Sequence, residues 1–564
     1  MTAVVGNASL ATFDVIVVGS GSGGGPLAEV LCRNGQKVLV LEAGPNHFAG
    51  LDDPTPGRPG TLFANDEVKL TRRGFIAADP LVEPRTFRAS AADGERTFTG
   101  DVNGLPRTVG GGAVHADLKT PRFQPDDFRL GTLLGDVAGA SFADWPVGYD
   151  ELEPFYGYAE RIMGVQGLDG APGDPPRSRP YPMPPGVPMY VALRAAEGAR
   201  KLGYAPFPYP TGVTSRPYDG RPPCTDCGYC GDYGCPINAK GSPAVTSLRK
   251  ALLTGNCQLL PETRAVRLVL DGAGTSVTAL EALGPSGEAL TFTADRYVLA
   301  ASPIEDARLC FLSDPDGAGV GNSSGLVGRN LTFHFQTIAI GVFEERMHGH
   351  RGRSVTHGMS DFRGVPGDPA RPLAGIVELG AAAGPLTEAF NYAFDLSMIG
   401  ADLRRTLRQS PLRDRLMVLT MQAEDAPQPA NRVDLDPEVR DLDGLPVARV
   451  TYANHPFELS ARAHYAPRLL DVLAAAGARW AFIAPADTVP SSRHIMGTLR
   501  SGADPAASVC DPTGRFHDVG NLYAADGALF PTSSGFNPTL TVSTLATYVA
   551  ASMVSPGAPE KAIT

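Results

Sequence analysis

The sequence predicts an α/β protein: a Rossmann-like dinucleotide-binding domain, discontinuous along the chain, with an inserted α+β substrate domain built on a β-sheet. Three observations predict it. Val15 to Val18 form a short β-branched run, as a buried parallel strand requires. Gly19, Gly21 and Gly24 follow at G-x-G-x-x-G spacing and lead into a helical stretch. A second apolar run, Lys37 to Leu41, ends at Glu42, an acid placed to accept from ribose hydroxyls. The first glycine permits a tight turn, the second lets the backbone approach a pyrophosphate, and the third lets helix pack on strand. The helix then points its free N–H groups and positive dipole end at the phosphates.

The remaining elements follow in chain order. Polar, proline-rich loops run to about residue 100, and a second glycine cluster spans Arg107–His115. Residues 141–165 read as a Trp/Pro corner around Trp145, then an amphipathic helix carrying Leu152, Phe155, Tyr156, Ala159 and Ile162 at helical spacing. Pro and Gly are so dense over 166–225 that this stretch reads as mostly loop. Strands follow between Thr263 and Ala300, including Ala265–Leu270 and a returning core strand at Arg296–Ala301. Residues 330–485 mix strands with one long helix near 456–476, and a last helix covers Leu540 to Met553. The expected division is 1–140, 225–325 and 490–564 for the dinucleotide domain, with 141–224 and 326–489 forming the substrate domain and cap loops.

With 564 residues, 43% hydrophobic and 19% charged, the chain can bury a large core. A net charge of −11 argues against a nucleic-acid partner, whose phosphates need a basic face. No apolar run reaches the length of a membrane span and the first residues lack the pattern of a signal peptide, so a cytoplasmic location is expected. Cys32, Cys257, Cys310 and Cys510 stand singly in apolar surroundings and read as small core residues.

At the C-terminal end, His494-Ile-Met-Gly-Thr498 precedes the segment Asn521–Leu540. Together with Gly19–Gly44, Arg107–Arg122 and Gly321–Leu331, these segments resemble the glucose–methanol–choline (GMC) flavoprotein oxidoreductases, in the family's order and at about its distances. The resemblance covers essentially the whole chain and implies FAD. It places the ADP half on the first glycine turn and Glu42, with a backbone contact from Val266 to adenine. Gly110, Gly111 and Gly112 would lie against the flavin ring and ribityl chain. Asp526 and Gly527 would sit beside the pyrophosphate and ribityl chain, and Asn537, Pro538 and Thr539 at the pyrimidine end.

Oxidising an alcohol removes one hydroxyl proton and one hydride. The flavin takes the hydride, so the protein need supply only a base and hold the carbon in place. Histidine suits proton removal near neutrality. The resemblance assigns the base to His494 and its partner to Asn537, which would stabilise alkoxide character on the substrate oxygen. His115 sits where some members attach flavin covalently through a Thr-His element; here Val114 replaces the threonine, which favours a non-covalent contact. The substrate implied is a small-molecule alcohol, by analogy with sugar-oxidising members a sugar or glycoside hydroxyl; an apolar sterol, terpene or long-chain alcohol is the alternative. Oxygen, a quinone or a protein could accept the electrons.

Cys224, Cys227, Cys230 and Cys235 resemble an iron–sulfur ligand run, with a last interval one residue longer than the bacterial ferredoxin pattern. Disulfides, free thiols and a structural zinc site compete with that cluster. With a cluster, the chain could instead be an electron-relay subunit. His348, His350 and His357 read as a solvated loop near the pocket mouth, Arg404–Arg408 as a charged helix face, and His517 as a surface or pyrophosphate-edge contact.

Overall fold

The computed structural model describes residues 4–55, 57–61, 84–100, 102, 106–228, 230–231, 233–349, 351–381, 397–486, 490 and 492–564. Its first sheet has the strand order Val5–Gly6, Cys257–Leu260, Val38–Leu41, Phe13–Val18, Ala294–Leu299, Leu522–Ala524. All neighbours pair in parallel except the first two. Val15, Ile16 and Val17 and Val38 to Leu41 are sealed from solvent, which is why these strands are apolar throughout rather than alternating. The helix Gly24–Arg33 packs on this sheet through Leu27, Ala28, Val30 and Leu31. The last helix, Thr539–Val554, is buried along most of its length. Cys32, Cys257, Cys310 and Cys510 are core residues, as their surroundings indicate.

A second six-stranded sheet is antiparallel, in the order Trp480–Ile483, Thr337–Val342, Leu416–Met421, Val377–Ala381, His357–Met359, Phe207–Pro208. The helices Tyr190–Lys201 and Pro456–Ala476 share its core, contributing Val191, Ala192, Ala195, Leu469, Val472 and Leu473. The stretch 166–225 is mostly loop, as its prolines and glycines require, but the first of these helices lies within it. Val191, Ala192, Ala195, Ala196 and Ala199 recur at helical spacing and all face the core. The prolines on either side hid that period. A smaller sheet joins Arg264–Leu270, Val277–Leu283 and Ala289–Phe292, and another joins Arg432–Arg440, Pro446–Thr451, Arg85–Arg88 and Phe98–Gly100.

Trp145 is core, edge-on to Phe128 at 5.0 Å, with its indole N–H donating to Thr532 Oγ1 at 2.8 Å. The helix Gly400–Gln409 buries no residue, as a charged face requires. His357 departs from expectation: it lies buried in a strand of the second sheet, while His348 is exposed and His350 falls outside the described residues. Among the described residues, no helix is long and apolar enough to cross a membrane.

Candidate active site

The first glycine turn is built as its spacing demands. Gly19 has φ +98°, and a Cβ there would lie 2.3 Å from the Ala300 carbonyl oxygen, so only glycine fits. A Cβ on Gly24 would lie 2.0 Å from the Gly19 carbonyl oxygen, so helix and turn are in backbone contact. The second glycine cluster folds against the first, and a Cβ on Gly111 would reach Gly21 Cα at 2.7 Å. Ser20, which the sequence reading passed over, joins the pieces. Its hydroxyl donates to Glu42 Oε2 at 2.6 Å and accepts from the Gly110 N–H at 2.9 Å. Glu42 also accepts from the Gly44 N–H at 2.8 Å, and burial raises its pKa against these bonds.

One continuous cavity of about 420 Å³ is bordered by Gly19, Gly21, Glu42, Gly111, Gly112 and Val266. Asp526, Gly527, His115, His494, Asn537, Pro538 and Thr539 border the same cavity. Chain segments far apart in sequence thus converge as expected; Gly24 and Gly110 stand just behind the wall. Val266 sits at a bulge: Ala265 pairs Ala282 and Arg267 pairs Glu281, leaving Val266 without a partner residue in the ladder. Asp526 accepts from the Ser302 and Ala528 N–H groups at 2.9 and 2.8 Å. Asp306 faces it, and burial, then repulsion from Asp526, raise the Asp306 pKa well above the ordinary carboxylate range.

At the other end stands a histidine pair, of which the sequence motif announced only His494. His494 Nδ1 lies 2.8 Å from Nδ1 of His334, with the rings edge-on at 79°. Nε2 of His334 lies 3.2 Å from the Ser533 carbonyl oxygen. Burial lowers the His334 pKa to about 4. Burial first, then repulsion from His334, Lys119 and Arg493, holds His494 well below its ordinary value. Both imidazoles are therefore neutral at pH 7.

Asn537 is fixed by two buried partners. Tyr209 donates its hydroxyl to Oδ1, and Nδ2 donates to Glu378 Oε1 at 3.1 Å. Glu378 also accepts from Gln422 Nε2 at 2.9 Å and from Lys119 Nζ at 2.7 Å. Burial opposes the Lys119 charge, but Glu378 and Asp117 outweigh it and raise the ammonium's pKa. Tyr209, Glu378 and Gln422 come from loop and sheet positions with no motif around them, so spacing alone could not have found them.

The cysteine run differs in exposure from one residue to the next. Cys227 is exposed, Cys230 is buried, and Cys224 and Cys235 are intermediate; all eight cysteines are free thiols. Among the described residues no three His, Cys, Asp or Glu side chains converge as metal ligands. The loop is instead tied down by Lys240, whose ammonium donates to the carbonyls of Ala116, Cys230 and Tyr233 at 2.9, 2.8 and 2.7 Å. The iron–sulfur, zinc and disulfide readings of Cys224, Cys227, Cys230 and Cys235 all lack the side-chain convergence they require. His517 is held by Ser508, with Oγ and Nε2 2.8 Å apart.

A dinucleotide fold whose cavity ends on a neutral histidine and a tethered amide defines an oxidoreductase acting on CH–OH groups. The chain belongs to the GMC oxidoreductases, matching the family's N-terminal region over residues 191–336 and its C-terminal region over 427–546. It is 31% identical to the paromamine 6'-oxidase of Streptomyces fradiae, over 94% of this chain and 89% of that one. It is 29% identical to the fructose dehydrogenase large subunit of Gluconobacter japonicus, over 94% and 96%. It is 30% identical to the 2-methyl-1,2-propanediol dehydrogenase of Mycolicibacterium austroafricanum, over 94% and 93%. Pyridoxine 4-oxidase from Mesorbium loti shares the fold at TM-score 0.62 and 20% identity, over 96% of this chain and 98% of that one.

The family depends on FAD, and the residues present fit that group. The cavity falls within the roughly 300–1,000 Å³ expected of a cofactor site. Val266 borders it at the bulge, and Gly19, Gly21, Gly111 and Gly112 border it without side chains.

Proposed function

We propose that this protein oxidises a hydroxyl of a sugar or glycoside to a carbonyl, with His494 taking the hydroxyl proton and Asn537 holding the oxygen. One observation carries the reading: a half-buried His494 whose pKa is held low and a tethered Asn537 border the same cavity as the two glycine turns. Gly19, Gly21 and Glu42 would hold the ADP half, with the Val266 backbone meeting adenine. Gly111, Gly112, Asp526 and Gly527 would flank the middle, and His115, Pro538 and Thr539 the far end. Bound FAD supplies the hydride acceptor.

A base must be unprotonated before it can act, and burial keeps His494 so at neutral pH. Proton transfer to it leaves charge on the substrate oxygen, which Asn537 can meet with its second Nδ2 hydrogen; the first is committed to Glu378. Asp117, Lys119 and Gln336 add donors and acceptors to the wall. That polarity supports a polyhydroxylated substrate over an apolar alcohol, as do the names of the paromamine and fructose enzymes among the relatives.

The test is anaerobic bleaching of the flavin band by a panel of sugars, glycosides and lipophilic alcohols, followed by air. Sugars or glycosides should bleach the band, and the rate of its return in air measures oxygen as acceptor. His494→Ala should slow bleaching by roughly 100- to 10,000-fold. Bleaching by lipophilic alcohols alone overturns the substrate class, and a His494→Ala rate within a few-fold of the parent overturns the role of the base.

A further inference from the structure

We infer that His334 is a positioning residue that fixes the tautomer of His494, leaving the lone pair of His494 on Nε2. The inference rests on the proposed role of His494 as base and goes beyond it, because a neutral imidazole can act as a base only through its unprotonated nitrogen.

Counting protons across the two rings fixes the tautomer. A carbonyl oxygen only accepts, so the contact at 3.2 Å between His334 Nε2 and the Ser533 oxygen requires the His334 proton on Nε2. A neutral imidazole carries one such proton, so Nδ1 of His334 is an acceptor. It lies 2.8 Å from Nδ1 of His494, which must therefore be the donor. The single proton of His494 is thereby placed on Nδ1, and Nε2 is left basic. The edge-on packing of the two rings suits one N–H aimed at one lone pair.

The anchor is itself built in. The Ser533 N–H and hydroxyl both donate to Glu424 Oε1, at 2.9 and 2.8 Å, and the Asp425 N–H donates to the Ser533 hydroxyl oxygen at 2.8 Å. Among the described residues, the groups acting on the pair, Lys119 and Arg493 beside His494 and the Ser533 and Ser534 backbone beside His334, include no carboxylate that would favour an imidazolium. In the step so prepared, the substrate O–H bond breaks and an Nε2–H bond forms. The C–H electron pair leaves as the hydride that the family's FAD accepts. The resulting imidazolium keeps its Nδ1–H on His334, so the relay holds through the reaction.

The experiment compares His334→Leu, which removes the acceptor, with His334→Asn, whose Oδ1 can stand where Nδ1 stood. Stopped-flow flavin bleaching is read as a function of substrate and pH. Histidine-selective ¹⁵N spectra of the intact holoenzyme, which has ten histidines, are read alongside. In the parent, the His494 resonances (assigned by their loss in His494→Ala) should show the Nδ1–H tautomer. His334→Leu should lower the saturating bleaching rate by roughly 10- to 100-fold with KM changed less than about threefold, and His334→Asn should recover most of it. An Nε2–H tautomer in the parent overturns the inference, as does a His334→Leu rate within twofold. Should His334→Leu fail to fold, the parent spectrum alone decides. If His494→Ala bleaches normally the base reading falls, whereas a crippled His494→Ala beside a normal His334→Leu overturns only the role of His334.

Discussion

Glu424 shows how the polar groups behind the site are balanced. It is fully buried; burial, then repulsion from Asp127, pushes its pKa up to about 8. A carboxyl raised in the folded state favours folding while it is protonated. Its contribution is complete below the unfolded value of 4.5 and is lost as pH rises through about 8. At 1.36 kcal/mol per unit, the loss is on the order of several kcal/mol across that window. His334 titrates with the opposite sign: its depressed pKa means stability is lost as pH falls from 6.5 toward about 4. Comparison with a neutral isostere separates the two. Glu424→Gln should gain Tm relative to the parent as pH rises from 5 to 8, because Gln keeps the oxygen that Ser533 uses and carries no charge. Melting curves at four pH values check this, and a Tm difference that stays flat would count against it.

The helix Gly24–Arg33 sets two effects against each other at its first residue. Replacing helical glycine with alanine favours the helix by about 1 kcal/mol on propensity alone. At Gly24 the new methyl would meet the Gly19 backbone oxygen at 2.0 Å, and a backbone carbonyl cannot rotate away as a side chain can. Overpacking of this kind costs about 1–3 kcal/mol, so the clash wins. Gly24→Ala should lower Tm and reduce the flavin retained on purification; a raised Tm at full flavin content would refute it. This element was legible in the sequence because strand, turn and helix are local and each glycine has its own steric reason. So were Val266 on its strand, the helix Pro456–Ala476 and the placement of His494 and Asn537. The helix Tyr190–Lys201 was hidden by the prolines around it. His334, Tyr209 and Glu378 were hidden because their significance lies in partners 160, 328 and 159 residues away.

At the scale of the whole molecule, the cavity wall draws on chain from Val18 to Val542, including the end of the strand Phe13–Val18 and Ala300, just past the strand Ala294–Leu299. The strand Leu522–Ala524 completes that side of the first sheet and leads directly into Asp526. A ligand seated there touches segments that meet only in the folded state, so its binding free energy adds to folding as RT ln(1 + [L]/Kd), about 4 kcal/mol at a thousandfold excess over Kd. The sheet core is apolar and closed without help from the cavity, with Val15, Val38 and Val298 fully buried. The glycine turns have no such core of their own and meet mainly through backbone contacts. Removing FAD should therefore lower Tm by several degrees yet leave the first sheet folded. Hydrogen exchange should quicken at residues 19–25, 108–116 and 526–539 together, while Val15–Val17 and Tyr297–Leu299 stay protected. Quickening confined to one of the three segments would show that FAD does not join them, and loss of protection throughout the sheet would show that the core depends on it.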